Sequence, residues 1–225
     1  MHEIIKIEKL KKIFKTGSEE LHILNNLDLN LEEGKKLVIT GESGCGKSTL
    51  LNIIGGLDSP SAGSVAVDNY DVGSITENEL YSFRNRVIGF IFQFHYLLKE
   101  LSAVENVMLP CFIAGTPRKE ALDNAYMLLK KVNLENRASH YPYQLSGGER
   151  QRAAVARAMI NNPRVILADE PTGNLDEYNS KNVEDLLFSL AAENGTTLVL
   201  VTHEAGLADK GDIRMVLEKG RLEAL

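Results

Sequence analysis

The stretch EGKKLVITGESGCGKSTLLNIIGGL, residues 33–57, restricts the fold more than any other part of this chain. A short apolar run ends at Thr40, a glycine-rich loop follows, and an apolar helical pattern begins directly after it. GESGCGKST fits G-x-x-x-x-G-K-[ST], with Gly41, Gly46, Lys47 and Ser48 at the fixed positions. In that context the glycines let backbone N–H groups curl around phosphate oxygens, and the helix N-terminus adds partial positive charge. Lys47 reaches the β- and γ-phosphates, and the Ser48 hydroxyl suits Mg²⁺. We take Gly41, Glu42, Ser43, Gly44, Cys45, Gly46, Lys47, Ser48 and Thr49 as the candidate phosphate cradle. A loop of this kind sits at the carboxyl edge of a parallel sheet, so an α/β architecture is expected.

The rest of the chain suits such a sheet. RVILADE (164–170) and TTLVLVTH (196–203) are continuous apolar runs, as expected of strands covered on both faces. Helical patterns over 147–161 and 178–193 alternate with them. EIIKIEKLKKIF and LHILNNLDLNL alternate apolar with polar residues and predict half-buried antiparallel strands. GSVAVDN reads as an edge-type strand, and DIRMVLEKGRLEAL as a final short β segment. TENELYSFRNR opens with Thr76 and Glu79 in capping-box spacing and predicts a helix, followed by a strand in VIGFIFQ.

Between Leu98 and Pro142 the texture changes. RKEALDNAYMLLKKV places Ala121, Leu122, Ala125, Leu128, Leu129 and Val132 on one stripe, and no comparable strand signal appears. We expect a helical subdomain over about 98–142, inserted between 1–97 and 143–225, within one domain spanning 1–225.

Polar residues at the strand ends are the next candidates. Asp169 and Glu170 close RVILADE at the edge where open α/β sheets bind ligands. Asp169 is the expected Mg²⁺ partner, and Glu170 the group that accepts a proton from an attacking water or orients it. Gln93 and His203 also end apolar strands. Spacing alone leaves each open as an ordinary polar terminus or a ligand-facing group, Gln93 towards metal and water and His203 towards the γ-phosphate. YQLSGGERQR (143–152) is a second glycine-rich helix opening, with Ser146 and Glu149 in capping-box spacing.

Composition narrows the class. The 31 acidic residues exceed the 25 basic ones, a net charge of −6, which argues against a generic nucleic-acid binder. Two cysteines, Cys45 and Cys111, make no disulfide framework and point to a reducing compartment. The first residues read as a strand rather than a signal peptide, and no apolar run approaches the roughly 18 residues of a membrane span. A role at a membrane therefore requires another chain to supply the span.

The phosphate loop, Gln93, LSGGERQR, LADEPTGNLD and His203 follow one another in the order found in the ATP-binding cassette (ABC) ATPases, and the chain resembles that family along essentially its whole length. The resemblance implies a phosphate-loop NTPase core with an antiparallel β subdomain and a helical subdomain. It also implies a head-to-tail homodimer with two ATP molecules between the chains. In that arrangement Ser146, Gly147, Gly148 and Glu149 meet the ATP held by the partner. Lys47 and Ser48 act within their own chain, with Gln93 and Asp169 around Mg²⁺. Glu170 resembles the catalytic base, and His203 the residue that senses the γ-phosphate. Asn174, Leu175 and Asp176 match a loop that crosses the dimer interface. Phe14 stands where the family usually has an aromatic, more often Tyr, that stacks on adenine; a core Phe ending its strand is the alternative.

Within the family, TGSEELHILNNLDL, GFIFQFHYLL, ENVMLP and ADEPTGNLD are similar to the group serving lipoprotein release, macrolide export and cell division. The best match is the ATP-binding subunit of a lipoprotein-releasing system, acting at the cytoplasmic face of the inner membrane through separate permease subunits. Phe14 for Tyr, and Glu204 where Asp is commoner, are the departures. A macrolide-type exporter, a cell-division complex that transmits force without transport, and a nucleic-acid-associated cassette are the competing expectations. In FHYLLKELSAVENVMLPCF the residues Phe94, Tyr96, Leu97, Leu98, Val104, Val107, Met108 and Phe112 form either a groove for a partner helix or the core of the helical lobe.

Overall fold

A computed structural model describes residues 2–17 and 19–225. Among the described residues, ten strands and six α-helices run in the order β1 (Glu3–Thr16), β2 (Glu19–Glu32), β3 (Lys36–Thr40), α1 (Lys47–Ile54), β4 (Ala62–Val67), β5 (Tyr70–Asp71), α2 (Glu77–Arg86) and β6 (Ile88–Phe92). They continue with α3 (Ala103–Ile113), α4 (Arg118–Lys131), α5 (Gly147–Met159), β7 (Val165–Asp169), α6 (Glu177–Glu193), β8 (Thr197–Thr202), β9 (Ile213–Glu218) and β10 (Arg221–Ala224).

The strands form two sheets. A six-stranded sheet has the order β10-β9-β3-β8-β7-β6, parallel throughout except for β10. Its central strands are buried on both faces, which explains their unbroken apolar sequence. Successive side chains point to opposite faces, and each set feeds its own core. Leu37, Ile39, Val165, Leu167, Val199 and Val201 pack with α1 and the second sheet. Val38, Ile166, Ala168, Leu198 and Leu200 pack towards α5, α6 and the helices between β6 and α5.

The second sheet is antiparallel, in the order β2-β1-β4-β5. Ile5, Ile7 and Leu10 of β1 lie beneath it with Phe83 of α2, whose ring is fully buried. Truncating such a side chain to alanine costs about 3–5 kcal/mol. The α2 helix begins with the expected capping box, Thr76 with Glu79.

Two local expectations need correction. GSVAVDN is not an edge strand: β4 is paired on both sides, because Asp68 and Asn69 (φ 45° and 68°) turn the chain back into β5. The last β segment is a hairpin, with Lys219 and Gly220 (φ 50° and 75°) making the two-residue turn between β9 and β10. Successive positive φ values match the strand twist at such a turn.

The stripe on α4 is seated as its period implies. Ala121, Ala125, Leu129 and Val132 are buried, with Leu122 and Leu128 at the margin. The apolar stretch between Phe94 and Phe112 divides. Val104, Val107 and Met108 belong to the core, whereas Phe94, Tyr96, Leu98 and Phe112 are exposed.

Candidate functional site

Strands β3, β6, β7 and β8 end side by side, and the chain leaves each of them through a polar segment. Their ends converge on a cavity of about 510 Å³ lined by Ser43, Gly44, Gly46, Lys47, Ser48, Thr49, Gln93, Asp169, Glu170 and His203, with Ile23 of β2 at its side. Four separate segments thus bring the phosphate loop, both acidic residues, the glutamine and the histidine together, with β2 as a fifth at the side.

The loop geometry follows from its glycines. Gly46 caps α1 in the left-handed region (φ 109°), and a Cβ there would lie 2.8 Å from Cγ2 of Ile23. No side chain caps α1 and its first turn carries no acidic residue, so its N-terminal donors and dipole face the cavity uncompensated. Lys47 is 5% exposed, and its ammonium donates to the carbonyls of Gly41 and Glu42 at 2.8 and 2.9 Å.

The acidic pair is arranged asymmetrically. Ser48 Oγ donates to Asp169 Oδ1 at 3.0 Å. Burial pushes the Asp169 carboxyl above its usual range; the Ser48 hydrogen bond and Lys47 oppose that rise, and neighbouring Glu170 adds to it. Glu170 lies between two cationic or protic groups, Lys47 Nζ at 3.8 Å and His203 Nδ1 at 2.5 Å. Its backbone has φ 43°, a strained value for a residue with a Cβ, and its N–H donates to the Val201 carbonyl at 3.0 Å. The strand ladder therefore ends on a residue whose turn throws the carboxylate into the cavity.

Other candidates lie elsewhere. Gly41, Glu42 and Cys45 border a neighbouring cavity of about 550 Å³ against Val216, Leu217 and Glu218, which His203 also borders. Phe14 lines neither cavity. It is 42% exposed, with the Lys12 ammonium 4.8 Å from its ring centroid, so the core alternative does not hold for it.

Ser146, Gly147, Gly148 and Glu149 are also outside the cavity. They open α5 with a complete capping box: Ser146 Oγ accepts from Glu149 N at 3.2 Å, and Glu149 Oε2 accepts from Ser146 N at 2.8 Å. Arg137 donates to Glu149 at 3.2 Å. Gly148 packs on α6 so closely that a Cβ would sit 2.5 Å from Asn179 Oδ1. Asp176 caps α6 by accepting from Asn179 N at 3.1 Å, and Asn174 Nδ2 donates to the Gln93 carbonyl at 3.1 Å. The segment 174–176 touches the Gln93 loop through Asn174 and lies against the opening of α5 through Leu175, whose Cδ2 would be 3.3 Å from a Cβ on Gly147.

Sequence reasoning missed three residues. Ile23 sits in an alternating strand with nothing to mark it as cavity-lining. Gln151 and Arg157 lie in the α5 run GGERQRAAVARAM, where Gln151 is a fully buried polar residue in an apolar helix face. Only the spacing of a polar residue onto that face could have signalled it.

Comparison with known proteins agrees with this geometry. The family model described as ABC transporter matches residues 24–173. The lipoprotein-releasing system ATP-binding protein LolD of Treponema denticola is 52% identical over 221 residues, covering 98% of both chains. The protein of the same name from Bacteroides thetaiotaomicron is 50% identical over 98% of this chain and 99% of its own. Among solved structures, a dimeric ATP-binding cassette in a post-hydrolysis state bound to ADP and Pi superposes with a TM-score of 0.90, at 41% identity and 98% coverage of each chain.

Proposed function

The chain belongs to the ABC transporter family, and from that premise we propose that it is the ATP-hydrolysing subunit of a lipoprotein-releasing transporter. The observation that carries the reading is the convergence of Lys47, Ser48, Gln93, Asp169, Glu170 and His203 on one cavity at the carboxyl edge of a parallel sheet. Residues 1–97 and 143–225 then form the core with its antiparallel β subdomain, and about 98–142 the helical lobe. The relatives at 52% and 50% identity carry the lipoprotein-release name along their full length, which supports that cargo over the macrolide and cell-division alternatives.

In this reading Gly41 to Thr49 wrap the phosphates of ATP, Lys47 neutralises the β- and γ-phosphates, and Phe14 stacks on the adenine. Ser48 Oγ and Asp169 Oδ1, 3.0 Å apart, are a hard-oxygen pair of the type that suits Mg²⁺, with Gln93 on the same cavity. A bound Mg²⁺ would supply charge neutralisation at the phosphates. Glu170 accepts the proton of the water that attacks in line, and His203 holds Glu170 in position through Nδ1 while facing the γ-phosphate. Ser146 to Glu149 serve the phosphate of a partner chain, and Asn174 to Asp176 cross the interface between the two copies. ATP then closes the dimer and hydrolysis loosens it.

Among the described residues no helix is long and apolar enough to cross a membrane. The proposed partner is a separate permease, which holds the chain peripherally at the cytoplasmic face of the inner membrane. The exposed Phe94, Tyr96, Leu98 and Phe112, beside an apolar cavity of about 350 Å³ lined by Tyr81, Phe92, Pro110 and Ile113, are the surface for it. Purifying the tagged chain from solubilised membranes and identifying what accompanies it tests the proposal. A permease with a large extracytoplasmic domain is the expected companion, and exclusively soluble companions would overturn the transport reading.

A further inference from the structure

The segment after Gln93 is an unusual bend, closed internally by backbone hydrogen bonds from His95 N to the Phe92 carbonyl and from Tyr96 N to the Phe94 carbonyl. His95 and Tyr96 both lie in the left-handed region (φ 43° and 47°), a costly state for consecutive residues with side chains. Side chains of α5 anchor this bend from outside. Arg157 donates from Nη1 to the Tyr96 carbonyl at 2.7 Å and from Nη2 to the His95 carbonyl at 2.6 Å. One turn and a half earlier on the same helix, Gln151 donates from Nε2 to the Phe92 carbonyl at 3.3 Å. That bond orients the amide so that its Oε1 accepts from His95 Nδ1, which fixes the histidine tautomer. Four hydrogen bonds from two side chains therefore clamp both ends of a five-residue bend, Phe92 to Tyr96, whose second residue is Gln93.

We infer that Arg157 is a positioning residue for ATP turnover, acting through the Gln93 loop. The planar guanidinium matches two neighbouring carbonyls as a fork. It also lines the apolar cavity between α2, α3 and β6, so it is touched on one side by the loop and faces the cavity on the other. Roughly three turns separate it from Ser146 at the N-terminus of α5. A single rigid helix thus fixes the loop that reaches the chain's own nucleotide cavity while presenting its capped end elsewhere. The inference rests on the ATPase reading above and on Gln93 serving that cavity.

A double-mutant cycle on the full chain tests it, with ATP hydrolysis of the wild type measured first. Arg157→Met keeps the apolar stem and removes both bonds. It is expected to lower kcat about tenfold, in line with the loss of charge-assisted hydrogen bonds, with KM for ATP within about twofold. In the Gln93→Ala background the same substitution should have no further effect on kcat, whereas a merely structural loss would multiply with it. Arg157→Lys keeps the charge and fills the same space. It should give an intermediate kcat, equally silent in the Gln93→Ala background, and it carries the test if the Met variant does not fold. Multiplying effects, or a KM that rises in step with the loss of kcat, would overturn the positioning role alone. Wild-type turnover in Gln93→Ala would remove the role of Gln93 and the inference with it.

Discussion

The chain opens two helices with glycine-rich segments, and the contrast between them is chemical. The segment before α1 leaves its helix end open: Gly46 caps it without a side chain, no acid follows in the first turn, and Lys47 adds a positive charge. The segment before α5 closes its own end: Ser146 and Glu149 exchange hydrogen bonds, and Glu149 places a negative charge where a phosphate would otherwise be attracted. The first segment presents an open, positively flanked helix end of the kind that suits an anion. The second, as it stands in one chain, is a finished helix cap that can offer a phosphate only its remaining donors and the Ser146 hydroxyl. On the proposed reading such a segment serves a nucleotide already held by other groups, which suits a role across an interface better than independent binding.

The largest expected effects lie on the open side. Glu170→Gln removes the proposed proton acceptor and preserves shape; turnover should fall by about 10²–10⁴ while ATP still binds, and the variant should accumulate as a dimer. Phosphate release and size-exclusion chromatography with saturating ATP read both, and a monomer at saturation would break the sandwich account. Lys47→Ala should weaken nucleotide binding by about 10- to 100-fold, the value of one or two charge-assisted hydrogen bonds, read by titration calorimetry. Normal affinity would remove Lys47 from the phosphates.

Effects on the capped side should be smaller and of another kind. Ser146→Ala should cost about 1 kcal/mol of stability through the lost cap, with ATP binding by the single chain unchanged and ATP-driven dimerisation weakened. If dimerisation is spared, α5 opens as a cap and nothing more. The smallest effect concerns acid. The Ser146 N–H, with help from the Ser146 hydroxyl and Arg137, holds the Glu149 carboxyl below its usual range. A depressed folded-state value stabilises above the unfolded pKa and is lost as pH falls through the folded one. Thermal melts from pH 6 downward should therefore show a shallower acid limb in Glu149→Gln.

How legible each region was follows from how local its cause is. The phosphate loop, both acids and the central strands were readable, because each depends on neighbouring residues: Gly46 and Lys47 on one turn, Val165 to Asp169 on burial of a single strand. The β9–β10 hairpin was also written locally, in the Lys219–Gly220 turn, but a two-residue turn between short strands is easily absorbed into one β segment. The arrangement of Gln151 and Arg157 around the Gln93 loop was not readable. It joins residues about 60 positions apart and depends on backbone angles at His95 and Tyr96 that neither residue type announces. Phe14 was legible as an aromatic but not as an exposed one, since its strand alternates until its end.

The left-handed backbone at Glu170 has a consequence for selection experiments. A residue with a side chain is costly there, and glycine is not. A library screened only for heat resistance should therefore enrich Glu170→Gly, and the winners should be better folded and inert. Thermal tolerance and work per ATP would then diverge at a single codon, and a campaign to harden this chain would have to hold position 170 fixed from the outset.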